Sequence, residues 1–530
     1  MNKKRVIAAA LTAAMLLPSV LSGCSESSSS SPPPSSTPSS NSSSPASSEY
    51  TVPDLTGLEI NFLGQTRSPY DPEQTLIWDE LESRTGAKLN YTWVAQSDYT
   101  EKVNTILASA ELPDVIFEAN MATLLDQGAI IPLDDLLNEY GSNITRYYTT
   151  DDYLYLRQIS DGKIYHVPYV LDFPPSMSTL VRQDWIDKLG LEQPKTYDEW
   201  KAVWQAFKDN DCNGDGDPTN EIPILCTNTN NLLTYTMMFG IKQSNSYFAI
   251  TDDGLISIFE HPNFRLYLNE MADLYAKGIL DREFATRAND YKTALDSGLA
   301  GFTIYFAERA RLTTDTLKQT NPDAKLVGVE PVVSQDGQQL MIARTKIATT
   351  GLAITIEAEK SGKAEKIMQF YNYVFSDEGN ILMNYGIEGK TFDYVNGDPV
   401  IKSEIASGGF SQARASGLIC TLTPMNFLGD SYMQLLLQGS DENNLDESTQ
   451  YFYDALYLNT PYFYYQVPIF STEEYLANKS LTEKLDEAFA NAVSGNITVD
   501  EFFTQYQKIK DLGWQSVIDS QNAAYQELLG

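Results

Sequence analysis

The sequence predicts an α/β protein, because strand-like and helical segments alternate along the chain after residue 50. Apolar runs rich in β-branched and aromatic residues are separated by longer segments with helical spacing, and Gly86 closes the first helix. This βαβαβ rhythm predicts a mostly parallel sheet covered by helices, and the alternation returns after Asp161. The predicted strands are 58–64, 88–94 and 112–118, and the predicted helices are 73–85 and 101–110.

The first 23 residues have the order of a signal peptide. A positive region at 3–5 precedes an apolar stretch at 6–20, which is too short to span a bilayer as a stable helix. The motif LSGC, which ends at Cys24, resembles the bacterial lipobox, so we expect cleavage before Cys24, a diacylglycerol on its thiol and palmitate among the acyl chains. An ordinary cleaved signal with a chance cysteine is the alternative.

The segment that follows the anchor, up to residue 49, is almost wholly Ser and Pro. It has too little apolar surface to offset its ordering entropy, so it predicts a partly stiff, solvated linker. Cys24 and this linker therefore form one region, 24–49, and the folded body begins near Tyr50.

Composition excludes several function classes. The net charge of -34 has the same sign as nucleic acids and anionic lipids, so we expect no nucleic-acid partner and membrane contact through the lipid only. With only 2 His in 530 residues, a His-based zinc site or a Ser-His-Asp triad is improbable. No second apolar run after the signal is long enough to span a membrane.

The cysteines leave one question open. Cys24 is assigned to lipid, and Cys212, Cys226 and Cys420 remain, which is an odd number. Cys212 and Cys226 flank an acidic loop and could form a disulfide. The interpretation we favour is that all three cysteines are buried thiols.

The loop DNDCNGDGDPTNEIP (209–223) predicts a structural calcium site. Short oxygen-bearing side chains alternate with small residues, as a hard cation with six to eight oxygen ligands requires. The spacing is not that of a strict EF-hand, because Glu221 falls at position 11 of the loop, and a solvated acidic turn is the alternative. Which of Thr219, Asn220 and Glu221 close the shell stays open. The candidate ligands are Asp211, Asn213, Asp215, Asp217, Asn220 and Glu221.

The segment before this loop predicts a well-formed helix. Thr196 and Glu199 match a capping box, and an apolar stripe with helical spacing follows them. We expect that stripe, and Trp185 nearby, to be core. The stripe is Trp200, Val203, Trp204 and Phe207.

Ordered short motifs over about 50–530 resemble the extracellular solute-binding proteins of family 1, the lipoprotein receptors of carbohydrate ABC importers in Gram-positive bacteria. Each motif is weak alone, and their order over the whole body carries the resemblance. The acidic loop also resembles that of the family's larger members but is one residue longer than the commonest form. The motifs are LPDV (112–115), DGKIY (161–165), RQDW (182–185), LGL (189–191), KGILD (277–281), GF (301–302), SDEG (376–379) and the segment 502–513.

The resemblance implies a two-lobed fold of the periplasmic-binding-protein type, with a hinge and a ligand cleft between the lobes. The lobes would comprise 50–170 with 340–385, and 171–339 with 386–530. Closure of the lobes around a ligand would signal the loaded state to permease subunits. The hinge would lie near 168–172, 338–345 and 384–392.

The resemblance further implies a monomer at the outer face of the cell membrane that binds an oligosaccharide and is not an enzyme. Aromatic faces stack on sugar C–H patches, and polar side chains bond the hydroxyls. A surface glycoside hydrolase and a carbohydrate adhesin are the alternatives, and the aromatic run 451–465 could equally be a sugar platform or packing. Candidate ligand residues are Trp93, Asn120, Tyr169, Asp172, Phe173, Tyr305, Phe306, Tyr385, Phe392 and Asn426.

Overall fold

The structure is a computed structural model. Of the sequence-predicted site residues, Cys24, Phe173 and Asn426 lie outside the described residues, as does Cys420. Residues 51–530 form one unit and residues 1–50 another, which is not described. The described residues are 51–66, 76–95, 97–109, 111–148, 156, 161–172, 176–287, 290–343, 347–418, 427–440, 444–467, 469–470 and 472–529.

A first sheet of six strands has the order β16-β4-β13-β3-β1-β2. Strands β1, β2 and β3 are mutually parallel, and β13 runs antiparallel to both β3 and β4, so β3 and β4 point the same way. The three predicted strands 58–64, 88–94 and 112–118 are confirmed with shifted ends. The strands are β1 (Glu59–Thr66), β2 (Lys88–Ala95), β3 (Val115–Phe117), β4 (Val167–Asp172), β13 (Ile347–Ile354) and β16 (Phe427–Leu428).

Helices from two parts of the chain pack with this sheet in one apolar core. Leu81 and Phe370 are fully buried with Ile60 from β1 and Ile354 from β13. Burial of such side chains stabilises the fold by about 1.5–3 kcal/mol each. The helices of these two parts of the chain are α1 (Leu76–Thr85), α2 (Tyr99–Ser109), α3 (Met121–Asp126), α4 (Asp134–Tyr140), α5 (Ser142–Thr145), α12 (Ile356–Lys360), α13 (Ala364–Val374) and α14 (Asp377–Tyr385).

A second sheet of four strands has the order β11-β5-β10-β6. β5 is antiparallel to β10 and β11, whereas β6 is parallel to β10. Its strands are β5 (Met177–Arg182), β6 (Ile222–Ile224), β10 (Ala300–Phe306) and β11 (Leu326–Val329).

Three smaller sheets accompany these two. A meander, a parallel pair and a hairpin are formed by β7-β8-β9, β12-β17 and β14-β15. Their bounds are β7 (Lys242–Asn245), β8 (Phe248–Thr251), β9 (Gly254–Ser257), β12 (Met341–Ala343), β14 (Phe392–Val395), β15 (Asp398–Ile401) and β17 (Phe463–Tyr465).

The predicted capping box and apolar stripe are confirmed in α7 (Tyr197–Asp209). The Thr196 side chain accepts from the backbone of Glu199, and the Glu199 side chain accepts from the backbone of Thr196. Trp200 and Trp204 are fully buried, as is Trp185, so the stripe is core. Elsewhere in this part of the chain lie α6 (Gln183–Leu189), α8 (Thr229–Thr234), α9 (Phe264–Ala276), α10 (Tyr291–Asp296) and α11 (Arg309–Leu317).

The C-terminal part of the chain is helical and returns to both sheets. Among the described residues, four helices lie between β15 and β17, and four more helices and one π-helical turn at Lys510–Trp514 follow β17. The bounds are α15 (Ser403–Ala406), α16 (Gly409–Ala415), α17 (Gly429–Leu436), α18 (Glu447–Leu458), α19 (Glu473–Asn478), α20 (Leu481–Val493), α21 (Val499–Ile509) and α22 (Gln515–Leu529).

β13 is held closely against β4. A Cβ on Gly351 would lie 2.1 Å from the carbonyl oxygen of Val167, so this position of β13 accommodates only glycine without a backbone shift. The carbonyl of Gly351 also accepts a hydrogen bond from the backbone N–H of Glu118, at 2.9 Å. Gly351 thus contacts β4 on one side and the residue that follows β3 on the other.

Helices and sheets are mixed along the chain, which confirms the α/β prediction. The lobe and hinge boundaries stay predictions. Cys212 and Cys226 are free, buried thiols, which agrees with the buried-thiol interpretation for these two. In the described ranges, we find no helix with the length and apolarity needed to span a bilayer.

Candidate functional site

The topology brings the carboxyl ends of the strands in the two main sheets close together. β4 ends at Asp172 and β5 begins at Met177, which pairs with Phe306 at the end of β10. Five residue steps span at most about 18 Å. The carboxyl edge that β1 to β4 share therefore lies near the carboxyl edge of β6, β10 and β11. In open α/β sheets, ligands bind outside such edges.

Polar side chains meet at the edge of the first sheet. Gln65, at the end of β1, donates from Nε2 to Oε2 of Glu118 at 2.7 Å. Glu118 directly follows β3, is half-buried, and has a φ of 56°, a left-handed conformation that is uncommon for a residue other than glycine. The edge thus presents a carboxylate and an amide that are fixed relative to each other.

Two sequence-predicted residues lie at the same edge. Asn120 is exposed, and its Oδ1 accepts from the backbone N–H of Thr123 at 3.0 Å, which caps α3. Trp93 is half-buried near the end of β2, and its ring stacks on Tyr91 with centroids 5.4 Å apart. Asn120 therefore has a structural role at the helix start, and Trp93 is oriented by the aromatic side chain two residues earlier.

The edge of the second sheet carries aromatic rings. Tyr305 and Phe306 end β10 and are half-buried, with ring centroids 4.9 Å apart. Tyr305 also stacks on Tyr291, at the start of α10, with centroids 3.7 Å apart and planes 19° from parallel. Burial raises the pKa of the Tyr291 hydroxyl, which is therefore neutral at physiological pH. The stack gives the edge a rigid aromatic face.

Other predicted ligand residues have different positions. Tyr385 and Phe392 are only 3% and 2% exposed, and they pack against each other in a core with residues of α15 to α17. Burial also raises the pKa of Tyr385 well above its usual value. Tyr169 and Asp172 belong to β4 by their backbone, and Asp172 ends that strand at the shared edge.

A separate cavity of about 410 Å³ lies against α14 and the β14–β15 hairpin. Arg84, Glu378, Phe392 and Tyr394 are among its lining residues, and Arg84 Nη1 is 2.7 Å from Glu378 Oε1. Its walls contain no residue of the two carboxyl edges described above.

The acidic loop is a closed turn built on Asp211. The carboxylate of Asp211 accepts from the backbone N–H groups of Gly214 at 2.7 Å and Gly216 at 2.9 Å. The side chains of Asn213 and Asn220 both donate to Oδ2 of Asp215, at 3.0 and 2.7 Å. The bond from Asn220, with smaller contributions from its other neighbours, lowers the pKa of Asp215, which is therefore ionised at neutral pH.

Glu221 closes the loop from inside the protein. It is 4% exposed, its Oε1 accepts from the backbone N–H of Cys212 at 2.8 Å, and its Oε2 is buried with no hydrogen-bond partner among the described residues. Burial raises the pKa of this carboxyl. A buried carboxylate oxygen without a donor is unfavourable alone and would be satisfied by a cation.

The donor set of the loop fits a hard cation, since it offers carboxylate and amide oxygens only. Asp217 instead accepts from the hydroxyl of Thr219 at 2.6 Å, and the side chains bond to one another rather than to a common centre. Within the described ranges, no three His, Cys, Asp or Glu side chains are placed to hold a metal. Rotation of the Asn213 and Asn220 amides would present their oxygens, instead of their NH2 groups, to Asp215.

Sequence reasoning missed Gln65, Glu118 and Tyr291. Glu118 could have been found as the polar residue directly after a buried strand, two residues before the candidate Asn120. Tyr291 carries no local signal, because its stacking on Tyr305 depends on how α10 is placed beside β10.

Comparison with known proteins gives a consistent result. A family model described as bacterial extracellular solute-binding protein matches residues 64–381. The fructooligosaccharide ABC transporter substrate-binding protein FusA of Streptococcus pneumoniae is 29% identical over 297 residues, which are 52% of this chain and 53% of FusA. The lipoprotein LipO of Bacillus subtilis is 25% identical over 343 residues, 62% of this chain and 66% of LipO. The chain thus matches about half of the length of FusA.

Solved structures share the fold. The alginate-binding protein AlgQ2, in a crystal structure without calcium ion, is similar with a TM-score of 0.71, 22% identity, and 89% of this chain and 98% of that chain covered. An EF-hand mutant of Streptococcus pneumoniae FusA in complex with fructo-nystose has a TM-score of 0.65, 20% identity, and 88% and 99% coverage. These likenesses confirm the two-lobed α/β fold.

Proposed function

Because this chain belongs to the bacterial extracellular solute-binding proteins, we propose that it captures an oligosaccharide and delivers it to the permease of an ABC importer. The observation that carries the proposal is the nearness of two carboxyl edges, one with polar and one with aromatic side chains. A sugar ring offers C–H faces for Tyr305, whose ring Tyr291 holds in place, and hydroxyls for Gln65 and Glu118. Named relatives include a fructooligosaccharide-binding and an alginate-binding protein.

Delivery needs two conformations of the binder. A ligand that contacts both edges favours the state in which the edges are closest, because those contacts exist only there. Asp172 and Met177 are five residue steps apart along the chain, which limits how far the two edges can separate in either state. The proposed receptor is a monomer that binds and does not cleave its ligand.

A structural calcium ion in the acidic loop is part of the proposal. The supporting observations are the oxygen donors of Asp211, Asn213, Asp215 and Asn220 and the buried Oε2 of Glu221. Among the similar proteins, the AlgQ2 structure is one without calcium ion, and the FusA structure is that of an EF-hand mutant. The loop follows α7, whose side chains are core, so an ion there would fix the end of a core helix.

The proposed location is the outer face of the cell membrane, through lipid on Cys24. The family is extracellular, and the relative LipO is a lipoprotein. The linker 24–49 would give the body freedom to reach a permease without leaving the cell.

Calorimetric titration of the full-length protein with defined oligosaccharides tests this function. Kestose, nystose, maltotriose, oligogalacturonates and oligoalginates would form the panel, and each mixture would be checked by chromatography for cleavage. Saturable binding with the sugar intact is the expected result. Binding of no member, or appearance of cleavage products, would overturn the receptor proposal.

A further inference from the structure

We propose that Glu118 is a ligand-binding residue that selects neutral sugar units over uronates, with Gln65 as its fixed partner. The inference rests on the proposed function and deepens it, because it names a substrate class for the same site. Its basis is the combination of an uncommon backbone conformation, a fixed side chain and a position at the carboxyl edge of the first sheet.

The backbone of Glu118 is held where a side chain is unfavourable. Its φ of 56° belongs to the left-handed region, and among the described residues only Asn396 and Gln438 are other non-glycine residues with positive φ. Asn adopts that region readily, whereas Glu has no local compensation for it. Such residues concentrate at functional sites, where the surrounding structure over-determines them.

Two neighbours impose this conformation. The N–H of Glu118 donates to the carbonyl of Gly351 in β13 at 2.9 Å, and the carboxylate accepts from Gln65 at the end of β1 at 2.7 Å. β3 lies between these two strands in the sheet. Glycine at this position would adopt the same φ without strain, so the backbone alone does not call for glutamate. The carboxylate itself is what the residue supplies.

A carboxylate with one oxygen bound to an amide accepts hydrogen bonds from sugar hydroxyls and repels a sugar carboxylate. Beyond the end of β10, Nη2 of Arg309 lies 3.9 Å from Oε1 of Glu308, so this cation has a carboxylate beside it. With a net charge of -34, the whole chain also disfavours an anionic polymer. Neutral oligosaccharides are therefore the class expected here.

The test compares three variants by calorimetry and thermal unfolding. Glu118→Gly removes both the backbone strain and the carboxylate, whereas Glu118→Gln removes only the negative charge. Asn396→Gly is the matched control, because Asn396 also has a positive φ but lies in the exposed turn of the β14–β15 hairpin. Wild type should bind a neutral oligosaccharide and no uronate oligomer. Glu118→Gly should unfold at an unchanged or higher temperature and bind at least tenfold more weakly. Glu118→Gln should weaken neutral-sugar binding several-fold, and Asn396→Gly should bind as wild type does.

The possible failures are distinguishable. If wild type binds no sugar in the panel, the proposed function fails and the inference falls with it. If wild type binds but Glu118→Gly binds equally well, only the inference fails. A lower unfolding temperature in Glu118→Gly together with weaker binding would indicate a structural residue. Preference of wild type for a uronate would overturn the substrate class.

Discussion

Glu221 and Cys212 are joined by a hydrogen bond of 2.8 Å, in which the backbone N–H of Cys212 donates to Oε1 of Glu221. The bond connects the last acidic residue of the loop 211–221 to its second residue. Oε2 of the same carboxylate is buried without a hydrogen-bond donor in the described part of the chain, so it is free to bind a cation.

Calcium should raise the free energy of unfolding, by about 2.7 kcal/mol at a concentration one hundred times its Kd. Glu221→Gln should lose most of that gain, because an amide cannot replace a buried anionic ligand. Glu483→Gln, an exposed change on α20, is the control. Thermal unfolding with calcium and with chelator measures the effect. Equal calcium shifts in wild type and Glu221→Gln would remove Glu221 from the shell.

The gain from calcium should also depend on pH. Burial raises the pKa of Glu221 in the folded chain, so without a cation this group favours folding below its raised pKa and loses that contribution as pH rises through it. Calcium replaces the proton, so its stabilising effect should grow with rising pH over the same interval. Unfolding curves between mildly acidic and neutral pH check the sign, and a gain that shrinks with rising pH would contradict it.

Tyr305→Ala should weaken sugar binding about tenfold, or about 1.4 kcal/mol, because it removes the aromatic face held by Tyr291. Tyr305→Phe keeps the stack and should bind nearly as wild type does. Tyr394→Ala, in the exposed hairpin, controls for general loss of an aromatic ring. Titration of all three variants with the same sugar is the measurement, and unchanged affinity in Tyr305→Ala would place the ligand elsewhere.

Gly351→Ala should destabilise the protein by about 1–3 kcal/mol, since the new Cβ would lie 2.1 Å from the carbonyl oxygen of Val167. Sugar binding should weaken too, because the carbonyl of Gly351 holds Glu118. Gly162→Ala, with φ +68° and nothing near its added Cβ, isolates the cost of backbone strain alone. Urea unfolding would measure the loss of stability. Normal sugar binding by Gly351→Ala would show that the change at Gly351 does not affect Glu118.

Cys24→Ala should release the protein from the membrane into the medium. The thiol is the attachment point for the lipid, and burial of acyl methylenes contributes about 0.8 kcal/mol each. Fractionation of cells into membrane and medium, followed by immunoblotting, is the measurement. A variant that stays with the membrane would show that the lipobox interpretation is wrong.

Features governed by local physics could be predicted from the sequence. The capping box of Thr196 and Glu199 and the buried stripe that includes Trp200 depend on residues within two helical turns, and both are found in α7. The strands β1 to β3 follow from apolar runs of the same short range. Local patterns of this kind were sufficient to predict the α/β fold class.

Features that depend on register between distant segments could not be predicted. Gln65 meets Glu118 only because β1 pairs with β3, and the φ of Glu118 is set by β13, more than two hundred residues later. Tyr385 and Phe392 fall in the predicted hinge segment 384–392, which suggested positions that a ligand could reach. The β14–β15 hairpin and α15 to α17 bury both side chains, and no sequence pattern near either residue indicates this burial.

The first sheet has a consequence for biogenesis. β13 lies between β3 and β4, and β16 pairs with the other side of β4, yet they come from 347–354 and 427–428. A chain that crosses the membrane N-terminus first presents β3 and β4 outside the cell long before either late strand arrives. Both would meanwhile expose open backbone edges, which are prone to aggregation. An extracellular foldase or holdase should therefore act most strongly on chains truncated before residue 347.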